Sequence, residues 1–341
     1  MKLKKPGIEA RKVGGAMSEI ICSIVIATRN EEDFIGSCLE TLENQEFNRA
    51  KYEIIIMDGL SEDSTINIIT EKQKIYSNIV LLSNPKKIAA SAFNIGIKNS
   101  RGNYVFILGA HAEYPSDFIK KSLDSFEENH ADCIGGRETE KSKSKLGEVF
   151  AAVRNTAFGG GLSPYRYSDK KQYVKTVAFG CYKKEALERV GGFDEDLIRN
   201  QDNDLNKRII QSGGKILFDP EIRFYYFSRD SLKGIFRQLF GYGYWEAKLI
   251  KRRKSQFSIV TLIPSIFVIY TLFAILFLVF CGSAFPLCLE FIPYLIIFAY
   301  FAIRVIMPNR LNSMIALFLY LLIHFSIGLG FIVGLIYKKE G

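Results

Sequence analysis

A histidine and a carboxylate follow a short apolar run in Arg101-Gly-Asn-Tyr-Val-Phe-Ile-Leu-Gly-Ala-His-Ala-Glu-Tyr-Pro115. Imidazole binds manganese-like ions well and magnesium poorly, and carboxylate oxygen suits the harder ions, so His111 and Glu113 are candidates for holding a cation. A solvated surface turn is the competing reading of the same stretch. Polar residues also close other apolar runs. Thr28, Asn30 and Glu31 follow Cys22–Ala27, and Asp58, Ser61 and Asp63 follow Tyr52–Met57. A carboxylate held directly behind four apolar β-forming residues, as Asp58 is, can accept hydrogen bonds from a ligand's N–H. Asp63-Ser64-Thr65 also suits a helix cap, and Asp202 and Asp204 suit the positive N-terminal end of a helix.

The elements that must position these groups are legible from periodicity. Tyr104–Leu108, Cys22–Ala27, Tyr52–Met57 and Ile79–Leu82 read as short strands without polar alternation, which points to burial on both faces and hence a parallel sheet. Amphipathic stretches over Phe34–Leu42, from Thr65 to about Lys74 and over Ala89–Lys98 read as the intervening helices. This alternation predicts a doubly wound α/β fold, whose ligands sit beyond the carboxyl ends of the strands. Thr28, Glu31, Asp58 and His111 therefore converge on one crevice. Further on, Thr176–Lys184 reads as a strand, Glu185–Val190 as a helix stopped by Gly191-Gly192, and the Asp202 region as the start of a helix through Gln211. The loop Gly159–Ser163 is glycine-rich but lacks the Lys-Ser/Thr pairing of a phosphate cradle.

Composition divides the chain. It has 341 residues and 48% hydrophobic content, yet between Phe257 and Tyr337 the only ionised side chains are Glu290, Arg304 and Arg310. Three apolar runs, Phe257–Cys281, Phe285–Ile303 and Met314–Tyr337, approach the roughly 20 residues that a bilayer core demands. The middle run is short and carries Pro286, Glu290 and Pro293, which also suits a re-entrant segment. Ser231–Lys248 places Leu232, Ile235, Phe236, Leu239 and Phe240 on one helical stripe, with Tyr242, Tyr244 and Trp245 beyond it. It reads as an interfacial helix, with a core helix as the alternative. The net charge of +9 raises the question of nucleic acid. Its densest cluster, Lys248 with Lys251–Lys254, lies directly before an apolar run, where cytoplasmic charge and anionic headgroups are expected, and no nucleic-acid-reading motif accompanies it. The six cysteines form no CxxC pair and are expected to be buried thiols in a reducing compartment. The expected organisation is a basic tail over 1–18, an α/β domain over 19–230, an interfacial and basic segment over 231–256, and membrane helices over 257–341.

Ser23–Glu31, Glu53–Thr65, Ala92-Phe-Asn-Ile-Gly96 and Gly102-Asn-Tyr together resemble the nucleotide-sugar half of the family 2 inverting glycosyltransferases of GT-A fold. Asp58-Gly-Leu-Ser with Ala110–Pro115 is more narrowly similar to the branch of the ExoA-type succinoglycan glucosyltransferases. The resemblance implies a nucleotide-sugar site at Thr28, Arg29, Glu31, Asp58 and Asn94, with Asp58 reading the base and Arg29 standing where many relatives have Tyr. It places His111 on the last position of the Asp-x-Asp metal motif, with a divalent ion (Mn2+ or Mg2+) as cofactor, and Gly109 on the first position, where the carboxylate is absent. It implies that Asp202 is the catalytic base, with Gln201 replacing the Glu that usually precedes it. Gln201, Arg237 and Trp245 are assigned to the acceptor or membrane side.

The reaction so implied is inverting transfer from a nucleotide sugar, by preference a UDP sugar, to a hydroxyl of a lipid-linked or polysaccharide-precursor acceptor. The expected location is the cell membrane, multi-pass, with a cytoplasmic catalytic domain. Transfer directly onto polyprenyl phosphate is an alternative. So is a catalytically impaired nucleotide-binding scaffold, given Gly109 and Gln201.

Overall fold

The computed structural model describes residues 19–142, 144–161, 163–228, 231–253 and 259–337. The basic tail over 1–18 lies outside the described residues, as do Lys254 and the C-terminal Lys338 and Lys339. Strands β1 (Cys22–Thr28), β2 (Tyr52–Asp58), β3 (Ile79–Ser83) and β4 (Tyr104–Gly109) alternate with α1 (Ile35–Glu43), α2 (Thr65–Ile75) and α3 (Ala89–Asn99), as the periodicity predicts. They pair in parallel in the order β3-β2-β1-β4. Every residue of β2 is buried, because α-helices cover the faces of a parallel sheet. That burial includes Glu53, whose carboxylate accepts from Ser23 Oγ at 2.7 Å and from the Arg101 amide at 2.7 Å and pairs with the Arg101 guanidinium. A buried carboxylate is tolerated when so satisfied, and the turn before β4 is thereby pinned to the sheet.

The second half departs from simple alternation. It comprises β5 (Ala112–Glu113), α4 (Phe118–Glu128), β6 (Cys133–Lys141), α5 (Lys145–Arg154), α6 (Ala157–Gly160), β7 (Gln172–Tyr173), β8 (Cys181–Lys183), α7 (Lys184–Arg189), α8 (Gln201–Gln211) and β9 (Ile216–Phe227). The sheet continues from β4 through β8, β6 and β9 to β5, with β7 beside β9. Strand β8 runs antiparallel to both β4 and β6, so the sheet is parallel in its first half and mixed beyond. Of the expected Thr176–Lys184 strand, Cys181–Lys183 pairs with β4 and the Gly180 carbonyl accepts from the Ile107 amide at 3.0 Å, while Phe179 at φ 47° breaks the extended course before it.

Three further helices, α10 (Ile259–Cys281), α11 (Phe285–Phe301) and α12 (Ser313–Ile336), follow the long α9 (Leu232–Arg253). Asn312 caps α12, its side-chain oxygen accepting from the amides of Met314 and Ile315. Lengths and apolarity suit three candidate membrane spans, Thr261–Cys281, Phe285–Ile306 and Ser313–Ile336. The middle one reaches 22 residues because a π-helical turn, Ala302–Ile306, prolongs α11.

Helix α9 lies along α12 at close range. No Cβ fits on Gly243 against the Ile327 carbonyl, nor on Gly330 against that of Phe240, which is the small-residue contact that lets apolar helices approach. Leu232 and Phe236 remain exposed at the start of α9. Val149 and Phe150 of α5 share a buried cluster with Leu319, Tyr320 and Ile323 of α12, so the sheet domain is seated on the apolar helices. The basic end of α9 has protein partners rather than free cations. Arg252 pairs with Asp194 and Asp196, Arg253 pairs with Asp194 and Asp204, and Lys248 and Lys251 reach carbonyls at the end of α12.

Candidate active site

Parallel register sets the first group of side chains. Thr28 pairs with Asp58 across β1 and β2, and Ala27 pairs with Gly109 across β1 and β4. The Asp58 carboxylate is buried and accepts from Ser61 Oγ at 2.5 Å and from the Ser61 amide at 3.0 Å. The Thr28 hydroxyl is buried without a partner among the described residues. Arg29 is exposed, and its stem lies where a Cβ on Gly59 would fall, 3.2 Å away. Glu31 completes the group, with its Oε1 3.2 Å from His111 Nδ1. His111 Nε2 in turn lies 3.1 Å from the Tyr226 hydroxyl, which β9 presents because Ala112 pairs with Tyr226 in antiparallel register.

The metal expectation meets a different geometry. Gly109 lacks the first carboxylate, and a Cβ there would fall 2.5 Å from Cζ of Phe179. The Phe179 ring therefore occupies the place of a side chain at 109. Glu113 turns away to pair with Lys141 at 3.0 Å. Among the described residues no group of three or more His, Cys, Asp or Glu side chains gathers at one point. His111 and Glu31, side chains of metal-ligating type, meet at the strand ends.

A cavity of about 560 Å³ opens from these strand ends. Ala27, Gly109 and His111 of the strand ends, Phe179, Asn200, Gln201 and Asp202, and Tyr242, Thr261, Ile327 and Phe331 of α9 and the apolar helices all line it, whereas Thr28, Arg29, Glu31 and Asp58 do not. Asp202, in the first turn of α8, has no hydrogen-bonding or ionic partner among the described residues. Burial alone pushes its carboxyl up to about 6. A carboxylate so poised accepts a proton more readily than a solvated one at neutral pH. Asn200 sets the start of α8 from the left-handed region, φ 60°, and donates to Glu246 of α9 at 2.8 Å.

A family model, "Glycosyl transferase family 2", matches residues 23–191. A curated relative from Methanococcus voltae, dolichyl N-acetyl-alpha-D-glucosaminyl phosphate 3-beta-D-2,3-diacetamido-2,3-dideoxy-beta-D-glucuronosyltransferase, is 35% identical over 92% of this chain and 97% of its own length. The chain belongs to glycosyltransferase family 2. The succinoglycan biosynthesis protein ExoA of Rhizobium meliloti is 26% identical over 71% of this chain and 73% of its own. Among solved structures, a mannosyltransferase from Pyrobaculum calidifontis, described in complex with GDP-Man and Mn2+, superposes with a TM-score of 0.67 at 16% identity. The superposition covers 93% of this chain and 88% of that one. It shows the shared GT-A fold.

In this glycosyltransferase the other expected site residues separate. Gln201 lines the cavity beside Asp202. Asn94 does not: its side chain accepts from the Phe193 amide at 2.8 Å and donates to the Phe193 carbonyl and to Glu195. It pins the Gly-Gly-Phe-Asp loop that leads to Asp202. Arg237 is exposed on α9, and Trp245 is half-buried with its ring edge-on to Tyr244; neither reaches the cavity.

Sequence reading misses a buried ion cluster at the cavity wall. Arg166 bonds both Glu138 and Glu140, and Arg154 lies 3.0 Å from Glu140. Two cations and two carboxylates, all nearly inaccessible, survive burial by neutralising one another. The alternation Glu138-Thr-Glu140, which puts both carboxylates on one face of a strand, was the available signal. Tyr226 likewise reaches the cavity from a segment without any chemical motif, and Arg199 and Tyr242 line it too.

Proposed function

We propose that this glycosyltransferase moves a sugar, with inversion, from a nucleotide-sugar donor to a hydroxyl of a sugar carried on a lipid phosphate. The single observation that carries this is that one cavity is lined by the strand ends, by Asp202 and by Thr261, Ile327 and Phe331 of the apolar helices. A soluble acceptor has no need of that last wall. The Methanococcus voltae relative, whose name states a dolichyl phosphate-linked acceptor, aligns over nearly its whole length and supports the same reading.

In the proposed reaction Asp202 takes the proton of the acceptor hydroxyl as that oxygen attacks the anomeric carbon. The bond from that carbon to the donor phosphate breaks, and the nucleoside diphosphate leaves with the electron pair. Thr28, Arg29, Glu31 and Asp58 bind the nucleotide, by preference uridine. They hold the donor so that attack is in line. His111 and Glu31 are the residues that would hold a divalent ion, together with oxygens of the donor. Such an ion would neutralise the leaving diphosphate.

The three apolar helices span the cell membrane in this reading. The catalytic face is cytoplasmic, on the side of Lys248, Lys251, Arg252 and Arg253. The test is transfer by the full-length protein in detergent, from a panel of UDP sugars to a short polyprenyl phosphate carrying N-acetylglucosamine, followed by NMR of the new anomeric centre. A product of inverted configuration is expected. Transfer only to the bare polyprenyl phosphate, or retention of configuration, overturns the reading.

A further inference from the structure

Three arginines line the cavity, and two of them are already neutralised. Arg154 and Arg166 are neutralised by Glu138 and Glu140. Arg199 faces the same space, half-buried, with no carboxylate within ion-pair distance among the described residues. Its surroundings are shaped to hold it. A Cβ on Gly241 of α9 would fall 3.1 Å from Arg199 Nε and 3.3 Å from Cζ, so the arginine packs against the helix where a larger residue at 241 would crowd it. Its Cζ stands 6.0 Å from the centre of the Tyr242 ring. Among the described residues its N–H groups have no hydrogen-bond partner, so the planar fork of donors is available to a ligand.

Position gives the cation its meaning. Arg199 precedes Asp202 by three residues, at most about 10 Å of chain. It rests on α9 where the cavity meets the apolar helices. We infer that Arg199 is the binding group for the phosphate of the lipid-borne acceptor, docking it at the membrane end of the cavity while its sugar reaches Asp202. This rests on the lipid-linked reading above. A planar fork of donors matches two phosphate oxygens at once, and a partly desolvated arginine without a counter-charge gains most from an anion. The donor's diphosphate carries the same chemistry, so the test must separate the two sources.

Full-length protein in nanodiscs is titrated with farnesyl phosphate, with farnesol and with UDP, for wild type, Arg199→Ala and Arg199→Lys. Charged hydrogen bonds of this kind imply that Arg199→Ala weakens farnesyl phosphate binding about 10- to 100-fold. Farnesol and UDP affinities stay as in wild type, and Arg199→Lys falls between. A lysine keeps the charge with little change of volume, so it reports even if the alanine variant folds poorly. Loss of UDP affinity in either variant would assign the arginine to the donor and overturn the inference. Equal binding of farnesyl phosphate and farnesol by wild type would also overturn it. These readouts involve no turnover, so absence of transfer to a lipid-linked sugar sinks the functional reading separately.

Discussion

Replacing Asp202 by asparagine is expected to raise stability while removing activity. The carboxyl sits in a cavity wall with no counter-charge among the described residues, and burial moves it from the ordinary 3.8 to about 6. At about 1.4 kcal/mol per pH unit, that difference makes the ionised form about 3 kcal/mol less favourable folded than unfolded. The sign follows from the direction. A carboxyl raised on folding contributes its full stability below the unfolded value near 4, and that contribution is lost as pH rises through about 6. At pH 7.5 the wild type therefore carries the whole penalty, and Asp202→Asn, nearly isosteric and neutral, does not.

Thermal unfolding of the two proteins at pH 7.5 should separate by about 2–4 °C for each kcal/mol relieved. By pH 5, where the native carboxyl is mostly protonated, the gap should shrink to about half. Turnover should fall about 10²- to 10⁴-fold, and the wild-type rate should decline as pH drops below 6. Equal melting temperatures at pH 7.5, or a gap indifferent to pH, would refute the desolvated carboxylate. Near-wild-type turnover would remove Asp202 from the base role.

Gly109→Asp, which restores the missing carboxylate, should destabilise the domain by about 1–3 kcal/mol through overpacking against Phe179. Combining it with Phe179→Ala should recover part of that loss. A stable single variant with stronger manganese-dependent UDP binding would instead show a vacant motif waiting to be refilled. Asp58→Ala should weaken UDP binding, measured by calorimetry, and leave farnesyl phosphate binding unchanged. Unaltered UDP affinity would take Asp58 out of the donor site. Arg253→Ala removes one of two guanidinium partners from the buried Asp204. A loss of about 1–3 kcal/mol is expected, readable by thermal unfolding at neutral pH and smaller at low pH, because Asp204 is held below the usual carboxylate range by hydrogen bonds from Arg253 and Arg208.

Local pattern was enough for the first half of the fold. Uninterrupted apolar runs such as Tyr52–Met57 exclude a solvent-facing side, so β1 to β4 and their parallel pairing were legible, and with them the placing of Thr28 and Asp58 at neighbouring strand ends. The three apolar helices were legible for the same reason, since length and lack of charge are local quantities. Tertiary contact decided what no window along the chain records. Phe179 meets Gly109 across 70 positions of sequence, Asn94 bonds the loop at Phe193, and Arg252 and Arg253 bind Asp194 and Asp204 rather than standing free for headgroups. Strand β6 has no long apolar run, and its two glutamates can be buried because Arg154 of α5 and Arg166 neutralise them. A charge is identical in sequence whether it faces water or a partner. Its role is set by the desolvation and pairing that only the folded chain supplies.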